Sequence, residues 1–269
     1  MRGLIGRHGL KIGCLMQKGQ VSARLSASAP AASRSSDSAS SSGPKELPIP
    51  DYLQETYWWA YVDPRAVTFF ERQWLVNLIL WGNFTRLRDL ALAVMAPHMD
   101  GRSLQIACVY GDFTQRLLAM LPDSGALDVI DVAPVQLRNL RQKLGATPEN
   151  LTIRQQDSTQ LGYADGVMDN TLLFFLLHEQ PEATRKQTIA EALRVTKPGG
   201  RVVFVDYHLP RPWHPLRYFM RPLLAWLEPF ALDMWRHEIV DWIPADLQPA
   251  RVTKQTFFGG LYQLVVCER

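Results

Sequence analysis

The sequence predicts an α/β protein built on a mostly parallel sheet with helices on both faces. Three observations carry that expectation. From Ser103 to Asp206, short apolar runs alternate with amphipathic stretches, the pattern of strands joined by crossover helices. Breakers separate the runs: Pro122, Pro134, Gly145 and Lys197-Pro-Gly-Gly200. An aspartate, Asp131, closes the second apolar run, where such sheets place ligand-facing groups beyond the carboxyl ends of strands.

The elements follow in order. Asp63-Pro64 is a helix start, with Asp as N-cap and Pro at the first helical position. Val67, Phe70, Trp74 and Leu78 then share a helical spacing, which predicts one amphipathic helix over 64–80. A second helix covers 84–96 and stops at Pro97. Strands are predicted over 103–109, 127–132, 151–155, 169–175 and 201–206, with helices over 113–121, 134–144 and 181–196. Residues 207–250 break the alternation with Pro, Trp, Arg and Leu. Phe257-Phe-Gly-Gly260 then turns the chain into a last strand over 261–267. The chain thus divides into an N-terminal helical lid at 45–100, a core at 101–206, an aromatic and basic insertion at 207–255, and a closing strand at 256–269.

Of the 269 residues, 47% are hydrophobic and 20% charged, ordinary for a globular chain. The net charge of +3 is uneven. Residues 1–44 hold six basic residues and one acid, so 23 basic and 25 acidic residues remain beyond them. That balance excludes a nucleic-acid footprint. The first 44 residues are Arg-spaced and rich in Ser and Ala, the composition of a mitochondrial transit peptide; a low-complexity bacterial tail is the other reading. The three cysteines form no CxxC pair, which suits a reducing compartment. No uncharged apolar run approaches membrane-spanning length. All eight tryptophans lie outside the core, and Trp with Arg at 211–236 suits either packing on the sheet or contact with a lipid headgroup layer.

A nucleoside cofactor needs a loop that admits it after strand one, an acid for its ribose after strand two, and a polar group for its base after strand three. The first loop reads Gln105-Ile-Ala-Cys-Val-Tyr-Gly111. Asp131 with Val132 meets the second need, and Asp157 with Ser158 the third. Residues 103–206 resemble a class I S-adenosylmethionine (SAM) methyltransferase of the ubiquinone/menaquinone C-methyltransferase type, with Leu176-Leu-His-Glu179 where those enzymes often carry Leu-His-His. Such enzymes usually show an acid-x-Gly-x-Gly-x-Gly loop; here Gln105, Ala107 and Val109 stand at the first three positions and only Gly111 is kept. Residues 48–269 resemble the narrower RquA-type family of rhodoquinone biosynthesis, through Ile49-Pro-Asp-Tyr-Leu53, Tyr57-Trp-Trp-Ala-Tyr61, Leu80-Trp-Gly-Asn83 and the loop Cys108-Val-Tyr-Gly-Asp112.

The resemblance implies a Rossmann-like fold and an enzyme that replaces a ubiquinone methoxy group by an amino group. SAM would be the amino donor, with a divalent metal such as manganese assisting. It also implies a mitochondrial site of action, peripheral to the inner membrane. Cofactor contacts are expected from Gln105, Ala107, Val109, Tyr110, Gly111, Asp131, Val132, Asp157 and Ser158. Without glycine at 107 and 109, the loop should lose its positive φ and its close approach, displacing the methionine end of SAM. His178 is the expected base, with Tyr110 and Asp112 beside it. Tyr57, Trp58, Tyr61 and His208 are expected at the quinone. No His, Asp and Glu spacing assigns metal ligands. A conventional quinone or phenol methyltransferase, and a silent scaffold of a respiratory complex, are the alternatives.

Overall fold

A computed structural model describes residues 47–269; the expected transit peptide lies outside the described residues. Seven strands form one sheet in the order β3-β2-β1-β4-β5-β7-β6. They are β1 (Arg102–Ile106), β2 (Ala126–Asp131), β3 (Leu151–Gln155), β4 (Met168–Phe174), β5 (Thr196–Tyr207), β6 (Arg251–Phe257) and β7 (Tyr262–Glu268). The first five are parallel and β7 runs antiparallel to both its neighbours. The order reverses at β1 and β4, the switch point where ligands enter such sheets. β1, β4 and the C-terminal half of β5 are buried on both sides, and the apolar run Val202-Val-Phe-Val205 of β5 is the sequence mark of a parallel core.

Helices α1 (Asp51–Thr56), α2 (Pro64–Phe70), α3 (Gln73–Ile79) and α4 (Phe84–Met95) precede the sheet. Between α1 and α2 lies one π-helical turn, Trp58–Val62. Asp63 caps α2 by accepting the Arg65 N–H at 2.8 Å. The single helix expected over 64–80 is two helices, interrupted at Glu71 and Arg72. Their faces differ as well: Val67 is buried, whereas Trp74 and Leu78 are exposed. The shared spacing therefore did not report one core-facing stripe.

The crossovers are α5 (Phe113–Ala119), α6 (Pro134–Leu144) and α7 (Glu182–Val195). In the insertion, α8 (Leu216–Leu227) presents one buried face through Met220 and Leu224. Three short 3₁₀ turns between residues 231 and 247 follow, and they bury Met234, Trp235, Ile239 and Trp242. Arg185 of α7 secures them: fully buried, it donates to the Leu177, Gln180 and Phe230 carbonyls and lies 4.4 Å from the Trp242 ring centre.

Two sequence expectations change. Lys197-Pro-Gly-Gly200 belongs to β5 as an irregular start, with a register shift between Met168 and Asn170. β6 was not expected, because this edge strand is mostly exposed and carries Arg251 and Lys254 where an apolar alternation would have marked it. Charged edges of this kind oppose sheet-to-sheet association. The turn from β6 to β7 needs Gly259, whose φ is +62° and whose hypothetical Cβ would overlap the His214 ring. Gly259→Ala should lower stability by about 1–3 kcal/mol, read as a reduced denaturant midpoint with unchanged slope.

Candidate active site

A cavity of about 350 Å³ opens beyond the carboxyl ends of β1, β2, β4 and β5. Its floor comes from the loops after β1 and β2, one wall from residues 174–180, and its roof from Tyr52, Tyr57, Trp59 and Phe70 of the N-terminal segment.

The β1 loop is held almost wholly by the protein's own groups. Ala107 keeps a positive φ of 72°, and Gly111 one of 77°. The expectation that Ala107 abolishes the glycine-type backbone is therefore corrected at that position; the left-handed geometry is retained at a steric cost of roughly 1–2 kcal/mol. Gln105 offsets that cost. It is buried, donates to the Ala107 carbonyl at 3.0 Å and accepts from the Thr114 hydroxyl at 3.1 Å. Gln105 thus braces the loop from behind and does not line the cavity, contrary to a direct cofactor contact. Val109 and Tyr110 do line it. The Tyr110 hydroxyl donates to the Ala60 carbonyl and accepts from the Gln136 amide, both at 2.8 Å, and its ring stacks on Phe70. Tyr110 consequently ties the loop to the roof and to α6. The Gly111 N–H donates to Glu71 at 3.0 Å, and the Lys143 ammonium donates to Glu71 and to the Gly111 carbonyl at 2.8 Å.

Asp131 lines the floor at the end of β2. Its oxygens accept the Cys108 and Ala133 N–H groups, each at 2.8 Å. Burial pushes its carboxyl up to about 6, against the pull of those backbone donors. The Cys108 thiol and the Val132 N–H donate to it as well, so the loop's own groups orient this carboxylate at the cavity floor. Val132 and Ser158 also line the cavity; the Ser158 hydroxyl is 2.8 Å from that of Thr188 and accepts from Gln180 at 3.1 Å. Asp157 does not line it. Its side chain accepts the Thr159 N–H and hydroxyl, a local turn bond.

At the opposite wall, buried His178 meets Asp206, with Nδ1 2.9 Å from Oδ1. The other Asp206 oxygen accepts the Leu177 N–H at 2.9 Å. Nε2 lies 3.7 Å from Glu228 and 3.8 Å from Glu179. Burial alone would lower this imidazole, but Asp206, Glu228 and Glu179 outweigh it and push it up to about 9 from 6.5. Burial also raises Glu228 and holds the phenols of Tyr52, Tyr57 and Tyr207 above the ordinary range. The Asp206 contact at Nδ1 and the two carboxylates near Nε2 favour the protonated ring, the form suited to stabilising developing negative charge. Phe175, at a strained φ of 53°, packs against His178 and Tyr207.

Three expected residues lie elsewhere. Asp112 is outside the cavity, bonded to Arg88 and Arg116 at 2.5 Å; burial opposes its ionisation, and these arginines overcome that to hold it low. His208 contacts the Gly260 carbonyl and Lys254 away from the cavity. Trp58 is 53% exposed, and its neighbour Trp59 takes the place in the roof. The Tyr61 side chain lies outside the described residues. Asp206, Glu228 and Tyr207 carry no sequence signal beyond position at a strand or helix end, and Tyr52 stands out only within the Ile49-Pro-Asp-Tyr-Leu53 motif. Among the described residues no group of three or more His, Cys, Asp or Glu is arranged to hold a metal ion; Asp206 is committed to His178 and backbone, so manganese does not fit these side chains as they stand.

Residues 104–200 match the family described as "Methyltransferase domain". The ubiquinone/menaquinone biosynthesis C-methyltransferase UbiE of Geobacter sulfurreducens is 27% identical over 139 residues, 51% of this chain and 54% of that protein. The demethylmenaquinone methyltransferase of Beutenbergia cavernae is 35% identical over 115 residues, 39% of this chain and 46% of that protein. The chain spans about half the length of these curated relatives. An O-methyltransferase family protein from Burkholderia thailandensis superposes with a TM-score of 0.54 at 16% identity, covering 77% of this chain and 60% of that one, which bears on the fold. The sheet order is that of the Rossmann-like class I methyltransferase fold, and residues 104–200 within it carry the methyltransferase-domain match.

Asp206→Asn should lower the His178 pKa well below about 9, seen in a side-chain NMR titration. The raised pKa stabilises the wild type fully below pH 6.5, and that stabilisation fades as pH rises through about 9. Denaturant midpoints should therefore fall more steeply over that window in wild type than in Asp206→Asn. Ala107→Gly should stabilise by about 1 kcal/mol through relief of the positive φ.

Proposed function

We propose that the protein binds SAM and modifies the ring of a ubiquinone-type substrate. The observation that carries this reading is one cavity lined by both a strand-end carboxylate, Asp131, and an imidazole, His178, that Asp206 holds from behind. The relatives named as quinone methyltransferases support the same substrate class. Asp131 would hold the ribose, and Gln156 and Ser158 would face the base. When bound, SAM supplies a transferable group, either its methyl carbon or its amino nitrogen.

The finer reading is amination: the amino nitrogen of SAM would bond to the methoxy-bearing ring carbon of ubiquinone, methoxide would leave as methanol, and the bond from that nitrogen to the α-carbon of SAM would then break with loss of a proton from the neighbouring carbon, giving rhodoquinone and an unsaturated acid from the SAM side chain. Val109 and the anchored Tyr110 support it, because they fill the loop where glycines would give the cofactor's methionine end its room. His178 donates from Nε2 to the quinone carbonyl oxygen as charge builds there. Glu228, raised by burial and close to that nitrogen, accepts the proton lost by the attacking amine. The N-terminal composition supports action in mitochondria, on quinone held at the inner membrane.

Methyl transfer is a second reading, favoured by one observation. The positive φ at Ala107 keeps the backbone course of a glycine loop, and hence an ordinary cofactor seat. Incubating the full chain with a short-chain ubiquinone and SAM labelled at its amino nitrogen separates the two. A labelled quinone, lighter by the exchange of methoxy for amino, is expected. A methylated product with S-adenosylhomocysteine would select the second reading, and an unchanged quinone would sink both. Asp131→Asn should weaken SAM binding roughly tenfold to a hundredfold, from the loss of a charge-assisted hydrogen bond, in calorimetric titration.

A further inference from the structure

Two stripes of large apolar side chains border one groove. On α3 and the turn after it, Trp74, Leu78 and Trp81 are 60%, 64% and 40% exposed, at spacings that share a helix face. On α8, Phe219 and Trp226 are 56% and 80% exposed, with Leu223 between them. The Trp81 and Phe219 rings meet edge-on at 6.0 Å. The groove between the helices is lined by Leu78, Met220, Leu223 and Leu224. Its inner end is shared with the active cavity through Ile79, Tyr207, Leu227 and Glu228. Folded monomers seldom leave a contiguous apolar patch of this kind without a partner.

Charge identifies the partner. Residues 72–87 contain Arg72 and Arg86, residues 211–227 contain Arg211, Arg217 and Arg221, and neither segment contains an acid. Of the flanking acids, Glu71 turns to Gly111, Asn139 and Lys143, Glu228 turns toward His178, and the exposed Asp89 is paired with Arg88. A second copy on this face would set the arginines against each other. Exposed tryptophans framed by arginines match the interfacial layer of an anionic bilayer. The 3₁₀ turns at 231–247 pack most of their apolar residues inside, among them Met234, Trp235, Ile239 and Trp242. Among the described residues no helix is long and apolar enough to cross a membrane, so contact at this face is peripheral.

We infer that the α3–α8 face docks on an anionic lipid surface and that its groove conducts the apolar chain of a membrane-borne substrate into the cavity. The conduction rests on the quinone reading; the docking does not. The test sediments full-length protein with phosphatidylcholine vesicles, with and without an anionic phospholipid, for wild type and for Trp74→Ser with Trp226→Ser. Wild type should pellet with anionic vesicles, less so in high salt. The folded double variant should partition at least about tenfold more weakly, having lost two large interfacial side chains. Folded wild type that stays in the supernatant, or a variant that pellets equally, overturns the docking. So does a wild-type dimer that the substitutions convert to a monomer without vesicle binding, which would make this a self-association face. The double variant should also turn over a short-chain quinone at the wild-type rate, and a long-chain quinone in vesicles at least about tenfold more slowly. Equal loss on both substrates overturns conduction. No turnover of either quinone by wild type removes the quinone reading and the conduction with it, and leaves the pelleting result to decide the docking.

Discussion

The Glu71 carboxylate is the point on which the active-site architecture turns. One oxygen accepts from the Gly111 N–H and the Lys143 ammonium, and the other accepts from Asn139 at 2.6 Å. Lys143 adds bonds to the Val109 and Gly111 carbonyls. One small ionic cluster therefore joins the α2–α3 break, the β1 loop and α6. Breaking one member of such a partly buried cluster leaves the others uncompensated, which is costlier than losing a surface pair. It also ends the long helix that the apolar spacing suggested. With α3 released from the line of α2, its apolar side chains face outward beside the groove.

The second constraint is electrostatic. His178, Asp206, Glu228 and Glu179 form a buried group in which one cation faces three potential anions. Asp206 takes the ring and three backbone N–H groups, those of Leu177, His178 and Tyr207. Burial pushes the Glu228 carboxyl up, against the pull of His178 and with a smaller push from Asp206. An imidazole and a carboxyl group, both shifted upward, thus face the same space. The strained backbone at Phe175 orders the wall beside them, in keeping with the tendency of strain to collect at functional positions.

The insertion has two physical halves. Its 3₁₀ turns are sealed against α7 by Arg185, whose guanidinium links the His178 segment to the Phe230 carbonyl and covers Trp242. Its helix α8 buries one stripe and exposes the other. Tryptophan serves both halves, inside as bulk and outside as an amphipathic surface, because its indole tolerates either setting.

The sequence by itself determined the sheet core. β1 to β5, α4 to α7, the Asp131 position and the His178 segment are all local in origin, since apolar runs, proline starts and glycine stops need no distant partner to be read. Tertiary structure decided the rest. β6 exists because β7 offers it a ladder, though its own side chains are mostly exposed. Asp112, adjacent to the loop in sequence, belongs to Arg88 and Arg116, while Asp206 reached His178 across 28 residues. Ala107 could hold a glycine's φ only because Gln105 and Thr114 brace it. Trp74 and Leu78 could be named apolar from sequence, but which side of the molecule they face depended on Glu71 finding Gly111 and Lys143. Local chemistry sets what an element is; long-range pairing sets where its side chains point, and the cavity's charge and its apolar rim both arise from that second step.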